Sequence, residues 1–279
     1  MGLYSIPIRP FVRNADIEKA SKVALRFFEL NEKIPGGRLI SRWIHNNRPT
    51  GLQREVFGLD FYNPIGLGAG LDLYGELYND LNNLGFSFVE IGPMNADGIR
   101  RAIRRIQQDP QNDILAACIN EDFLTAFTLA YDFCDFFVID LSANPSTDVL
   151  DPLLDARLAE DIYRPIIVKL PRTLPPSETE DLLDYCQMNR IDGIESLSLE
   201  QTRHIASYTS GRLPIIANFA IDTPEQAAEA LEAGASLIEV RDGLVRQGPQ
   251  FVSKIQKHLL NLVKNERSNP REDSPAPEA

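Results

Sequence analysis

Cysteine and histidine are scarce in this chain, at three residues each in 279. Cys118, Cys134 and Cys186 lie far apart in apolar stretches with no Cys-x-x-Cys pair. That excludes a disulfide framework and leaves cysteine as a small hydrophobe in a reducing compartment. His45, His204 and His258 have no second ligand three or four positions away, so no metal site is expected. No apolar run reaches the roughly 20 residues that cross a bilayer, and the N-terminus lacks the charged, apolar, small order of a secretory signal. Positive charge is also in deficit: 28 Lys and Arg stand against 40 Asp and Glu, a net charge of -12. Binding along a phosphate backbone needs a concentrated basic surface, so a nucleic-acid partner is excluded. The expected location is the cytoplasm.

The charge is unevenly spread. Residues 1–54 hold ten Lys and Arg against four Asp and Glu, and everything after them carries 18 against 36. In this segment Ile17, Ala20, Val23, Ala24, Phe27, Phe28 and Leu30 recur at helical spacing behind the candidate caps Asn14 and Asp16, which predicts a helix over about 16–32. Pro35-Gly36-Gly37 ends it, and Leu39, Ile40, Trp43 and Ile44 form a second apolar stripe beside Arg38, Arg42 and Arg48. Residues 1–54 therefore read as a basic amphipathic helical arm. Basic residues beside Phe and Trp suit an anionic membrane surface, which would place the protein peripherally on the inner face of the cell membrane. The same stripes also suit packing on a protein, either this chain's own body or a partner met through residues 1–48. At the other end, residues 265–279 combine Pro, Ser and charge without an apolar period and are expected to be disordered.

Between these ends, short apolar runs alternate with longer amphipathic ones. The apolar runs are IGLGAG (65–70), FSFVEIG (86–92), ILAACI (114–119), FFVIDLS (136–142), IIVKL (166–170), DGIES (192–196), PIIANF (214–219) and SLIEVR (236–241). Eight strands in strict alternation with helices predict a parallel sheet closed into a (β/α)8 TIM barrel over residues 55–264, behind the short helical arm. A doubly wound open sheet is the alternative. Its phosphate loop is matched only loosely by GLGAGLD, which lacks a following helix cap.

The residues also carry a resemblance. The arm, then EVFGLDFYNPIGLGAGLDLYGE, LGFSFVEIG, FFVIDLS, PIIVKL, LPIIANFAI and EAGASLIEVRDGLVRQGPQFV, resemble in order and spacing the class 2, quinone-linked dihydroorotate dehydrogenases, over about residues 3–262. The resemblance implies an N-terminal membrane module. It also implies FMN on the C-terminal face of the barrel and oxidation of dihydroorotate to orotate, with electrons passed to a quinone in pyrimidine biosynthesis.

Position by position, the chain departs from that pattern. Where the resemblance implies AGFDKNGE, the sequence has AGLDLYGE, so Leu73 stands for a lysine while Ala69 and Gly70, whose backbone would lie against the flavin, remain. After the second run a long substrate-gripping segment is replaced by PMNADG, with Asn95 as a remnant of the substrate site. Where the catalytic serine base is implied stands Ala143, which cannot accept a proton; Ser142 is the nearest substitute, and Asp140 replaces an orotate-binding Asn. Lys169 matches the flavin lysine, with a purely structural pairing to Asp140 or Glu195 as the other reading. The glycines that would bring backbone N–H groups to the FMN phosphate become Ala217-Asn218-Phe219-Ala220-Ile221. The usual Tyr-Thr-Gly becomes Arg241-Asp242-Gly243, keeping only Gly243. The remnants of the cofactor site are thus Ala69, Gly70, Lys169 and Gly243, no catalytic residue is assigned, and Phe219 and Leu73 are expected to close the site. The expectation is a barrel protein of this type that has lost FMN binding and catalysis and serves an interaction or regulatory role. The alternative is a divergent FMN-dependent dehydrogenase that uses another base.

Overall fold

The structure, a computed structural model, describes residues 48–111 and 113–268 together with Arg26. The helical hairpin expected within residues 1–54 lies almost wholly outside the described residues, as do residues 269–279 of the expected tail.

The first two strands, β1 (Arg54–Val56) and β2 (Leu59–Phe61), form an antiparallel hairpin that the sequence reading did not identify. Its turn is Phe57-Gly58, both at positive φ (56° and 77°), the backbone of a two-residue hairpin that follows the right-handed twist of the strands. A phenylalanine at the first of these positions hides the turn from composition.

Eight parallel strands follow and close into a barrel: β3 (Ile65–Leu67), β4 (Phe88–Met94), β5 (Ile114–Ile119), β6 (Phe136–Asp140), β7 (Ile166–Lys169), β8 (Gly193–Ser196), β9 (Ile215–Asn218) and β10 (Leu237–Glu239). Each pairs with its sequence neighbours, and β10 pairs with β3 through Ile238–Ile65 and Glu239–Gly66 to seal the ring. The TIM barrel expected from the alternation is the observed fold. Helices α1 (Tyr78–Asn82), α2 (Ala96–Gln108), α3 (Phe123–Ala130), α4 (Leu150–Leu158), α5 (Pro176–Met188), α6 (Leu199–Tyr208), α7 (Pro224–Glu232), α8 (Asp242–Gln247) and α9 (Gln250–Ser268) complete it.

Local sequence explains several boundaries. Thr223 caps α7 in a reciprocal box with Gln226, Pro224 occupies the first turn, and Gly234 at φ 108° leads the chain out. The last helix runs to Ser268, past position 265 where the sequence reading began its tail. Once Phe251, Val252, Ile255 and Leu259 are buried, each further residue adds a helical hydrogen bond without a new nucleation cost.

Two apolar layers hold the barrel. The outer one lies between strands and helices and includes Ile65, Val89, Leu115, Ile139 and Ile194. The inner one fills the lower barrel with Phe61, Phe88, Phe136, Ile167, Ile216 and Leu237, and the hairpin closes the bottom, its Phe61 ring 5.5 Å from that of Phe88. Gly66 has no room for a Cβ because the Phe88 ring occupies that place, the nearest carbon 2.1 Å away. Among the described residues no helix is long and apolar enough to cross a membrane.

Candidate functional site

Side chains alternate across a strand, so the residues two positions beyond the lower aromatic layer also point inward. In β4 that residue is Glu90, in β8 Glu195 and in β10 Glu239; all three are buried, at 0%, 0% and 1% exposure. These are the second, sixth and eighth strands of the ring, and alternate strands supply one interior layer of a barrel. Each carboxylate has an oxygen within 4.8 Å of the other two. Gly68 makes the space for one of them, since a Cβ there would lie 2.7 Å from Glu239 Oε2.

Lys169, at the end of β7, reaches into this layer. Its Nζ lies 2.8 Å from Glu195 Oε1 and 3.9 Å from Asp140 Oδ2. Burial alone would lower its pKa, but the surrounding acids, Glu195 foremost, outweigh that and hold the ammonium above the ordinary lysine value. Asn218, at the end of β9, donates through Nδ2 to the same Glu195 oxygen at 2.7 Å. The structural pairing considered for Lys169 from sequence is therefore present with both named partners. Cys118 is fully buried beside Glu90, and burial pushes its thiol well above the usual range, keeping it as S–H. The other two cysteines are buried and unpaired as well.

Above the carboxylates the mouth narrows to a cavity of about 190 Å³, lined by Ala69, Lys169, Arg172, Phe219, Arg241 and Asp242 among others. Arg241 dominates it. Its Nε donates to Asp242 Oδ1 at 2.8 Å and its Nη1 to the carbonyl of Ala69 at 3.3 Å. The guanidinium thereby lies over the Ala69–Gly70 backbone; a Cβ on Gly70 would be 2.6 Å from Nη1. Asp222, in the loop before α7, faces Arg246 at 3.9 Å.

The remaining residues singled out from sequence are dispersed. Asn95 caps α2, its Oδ1 accepting from Gly98 N at 3.0 Å. Ser142 and Ala143 are exposed on the loop after β6, where Asp140 accepts the Ser142 amide at 2.9 Å. Gly243 is packed in α8, where a Cβ would meet the Phe251 ring at 2.2 Å. Phe219 lines the mouth as expected, but Leu73 does not: it is 43% exposed and absent from the cavity wall. Asp72 next to it is buried and accepts the amides of Glu76 and Leu77 at 2.7 and 2.8 Å, curling the loop so that Leu73 faces solvent. Glu90 and Glu239 were not singled out from sequence. Their signal was a lone glutamate inside an otherwise apolar run, FVEIG and SLIEV, at the inward phase of the strand.

A family model described as dihydroorotate dehydrogenase matches residues 156–263. A protein from Christiangramia forsetii named dihydroorotate dehydrogenase (quinone) is 26% identical over 92% of this chain and 99% of its own length. One of the same name from Thermus thermophilus is 27% identical over 92% of this chain and 96% of its own. The first alignment spans 338 positions but draws on only 92% of a 279-residue chain, so about 80 residues of that relative have no counterpart. Two crystal structures of DHODH from Eimeria tenella, one in complex with ferulenol and one ligand-free, superpose with a TM-score of 0.68 at 19% and 17% identity. They cover 77% and 81% of this chain, and 85% and 94% of theirs. The end-to-end matches to the curated relatives and the family model over residues 156–263 agree with the eight-stranded ring: the chain is similar along its length to the dihydroorotate dehydrogenases.

Proposed function

We propose that this protein is a non-catalytic member of the family, a barrel that has lost FMN binding and dihydroorotate oxidation and acts as an interaction or regulatory protein. One observation carries the reading: the Arg241 guanidinium lies on the Ala69–Gly70 backbone, the surface that the resemblance assigns to the flavin, and is tied there to Asp242 and the Ala69 carbonyl. The residues present do not fit the cofactor. Phe219 stands where glycines would admit a phosphate, and Lys169 is engaged by Glu195 and Asp140. The cavity of about 190 Å³ falls below the ~300 Å³ at which small-molecule sites usually begin. Ala143 offers no proton acceptor at the position of the implied base. About 80 residues present in a full-length relative, whose barrel loops build the active face, have no counterpart. In this reading residues 1–48 carry the contact, with a protein partner or an anionic membrane surface.

Retention of Lys169, Ala69 and Gly70 favours a second reading, a divergent FMN enzyme with a different base. A steady-state assay of dihydroorotate oxidation with a quinone acceptor and excess FMN separates the two, with the Thermus thermophilus relative as positive control. No turnover above the protein-free rate is expected; turnover that scales with protein concentration overturns the proposal.

A further inference from the structure

The barrel interior holds more acid than its cation can neutralise. Glu90, Glu195 and Glu239 converge within 4.8 Å, and Lys169 is the ammonium at hand, held by Glu195 and Asp140. Neither oxygen of Glu90 nor of Glu239 has a hydrogen-bond partner outside the cluster, and Oε2 of Glu195 is likewise unpartnered. An ionised carboxylate in such a place costs several kcal/mol unless it is paired or takes a proton. The groups facing the cluster are few. The third strand offers a thiol, Cys118; the fourth, Asp140; the fifth, Lys169; the seventh, the neutral Asn218; the first, only Gly68. Arg241, two residues beyond Glu239, is committed to Asp242.

We infer that Glu90 and Glu239 form a buried acid pair sharing a proton, so that the barrel is an acid-stabilised, alkali-sensitive device centred on its own interior. Two carboxyl groups this close and dry cannot both ionise, and one retained proton turns their contact from repulsion into a hydrogen bond. The electrostatics agree in direction. Burial, then Glu195, lifts Glu90 from the ordinary value of 4.5 to about 7, and burial with the charges of Glu90 and Glu195 lifts Glu239 well above its usual range.

A group whose pKa is higher in the folded chain than in the unfolded one favours folding most when both states are protonated. Its contribution is therefore complete below the ordinary glutamate value and is lost as pH rises through the folded value, about 7 for Glu90 and likewise well above the ordinary value for Glu239. Above that window the extra charge competes for Lys169 and loosens the mouth. This inference is independent of whether flavin binds.

Urea unfolding of the full chain across about pH 5 to 9, for the parent, Glu90→Gln and Glu239→Gln, tests it. Glutamine keeps the shape and cannot ionise. The unfolding constant of the parent relative to either variant should climb by up to about tenfold per pH unit inside the window, leaving the variants more stable at alkaline pH. Parallel profiles for parent and variants overturn the inference. So does rescue of the parent at alkaline pH by added manganese or calcium, because a cation rather than a proton would then occupy the cluster. Should a variant fail to fold, infrared spectroscopy of the parent decides: a protonated-carboxyl C=O band at neutral pH that vanishes on alkalinisation is expected, and its absence sinks the idea.

Discussion

The lower and upper halves of the barrel interior are built on the same strands, two residues apart, and follow opposite rules. β4 places Phe88 below and Glu90 above; β7 places Ile167 below and Lys169 above; β10 places Leu237 below and Glu239 above. The lower layer is held by edge-on aromatic contacts, with the Phe88 ring 5.6 Å from Phe136 and 5.5 Å from Phe61. Its cohesion depends on filled volume and is indifferent to pH. The upper layer depends on which protons and ion pairs are in place. The lesson is that this scaffold keeps its fold through the bottom of the barrel, leaving the top free to change chemistry, or to close, without loss of the fold.

Breaking the lower half should cost most. Phe88→Ala empties the centre of the aromatic layer and should lose about 4 kcal/mol of unfolding free energy in urea, by the same amount at acid and alkaline pH. In the upper half, Lys169→Met should cost about 3 kcal/mol at alkaline pH by orphaning Glu195, and clearly less at acid pH, where the orphaned carboxyl can take a proton. Equal losses at both pH values would erase the distinction between the halves. Gly68→Ala pushes a methyl toward Glu239 and should cost about 2 kcal/mol, an effect that Glu239→Ala relieves if the clash is the cause. The smallest effect is expected outside both layers. Asn95→Ala removes the α2 cap for about 1 kcal/mol, and Asn95→Ser restores most of it, as suits a cap and not a substrate ligand.

The ring was legible in the sequence because its signal is local: each apolar run marks its own strand, and α2, α6 and α7 carry side-chain caps at Asn95, Ser198 and Thr223. What escaped reading is non-local or contrary to local preference. Phe57 turns the hairpin with a backbone that phenylalanine seldom adopts, so composition gave no hint of it. Glu90, Glu195 and Glu239 are remote in sequence and meet only when the barrel closes, although the inward phase of each was readable. The pairing of Lys169 with Asp140 or Glu195 was readable as an alternative to a flavin role, and the structure has both. The direction of Arg241 could not be read, since it depends on an ion pair with its own neighbour and on a carbonyl 172 residues away. Leu73 misled because the loop conformation is set by Asp72, not by the hydrophobicity of the leucine.

In the proposed function Arg241 takes the place of the flavin. The direct test is the visible absorption spectrum of the purified full chain, recorded before and after incubation with excess FMN and removal of free cofactor. A colourless protein that stays colourless is the expected result. A stoichiometric flavin band, on isolation or after incubation, would contradict the account and show that Arg241 yields its place.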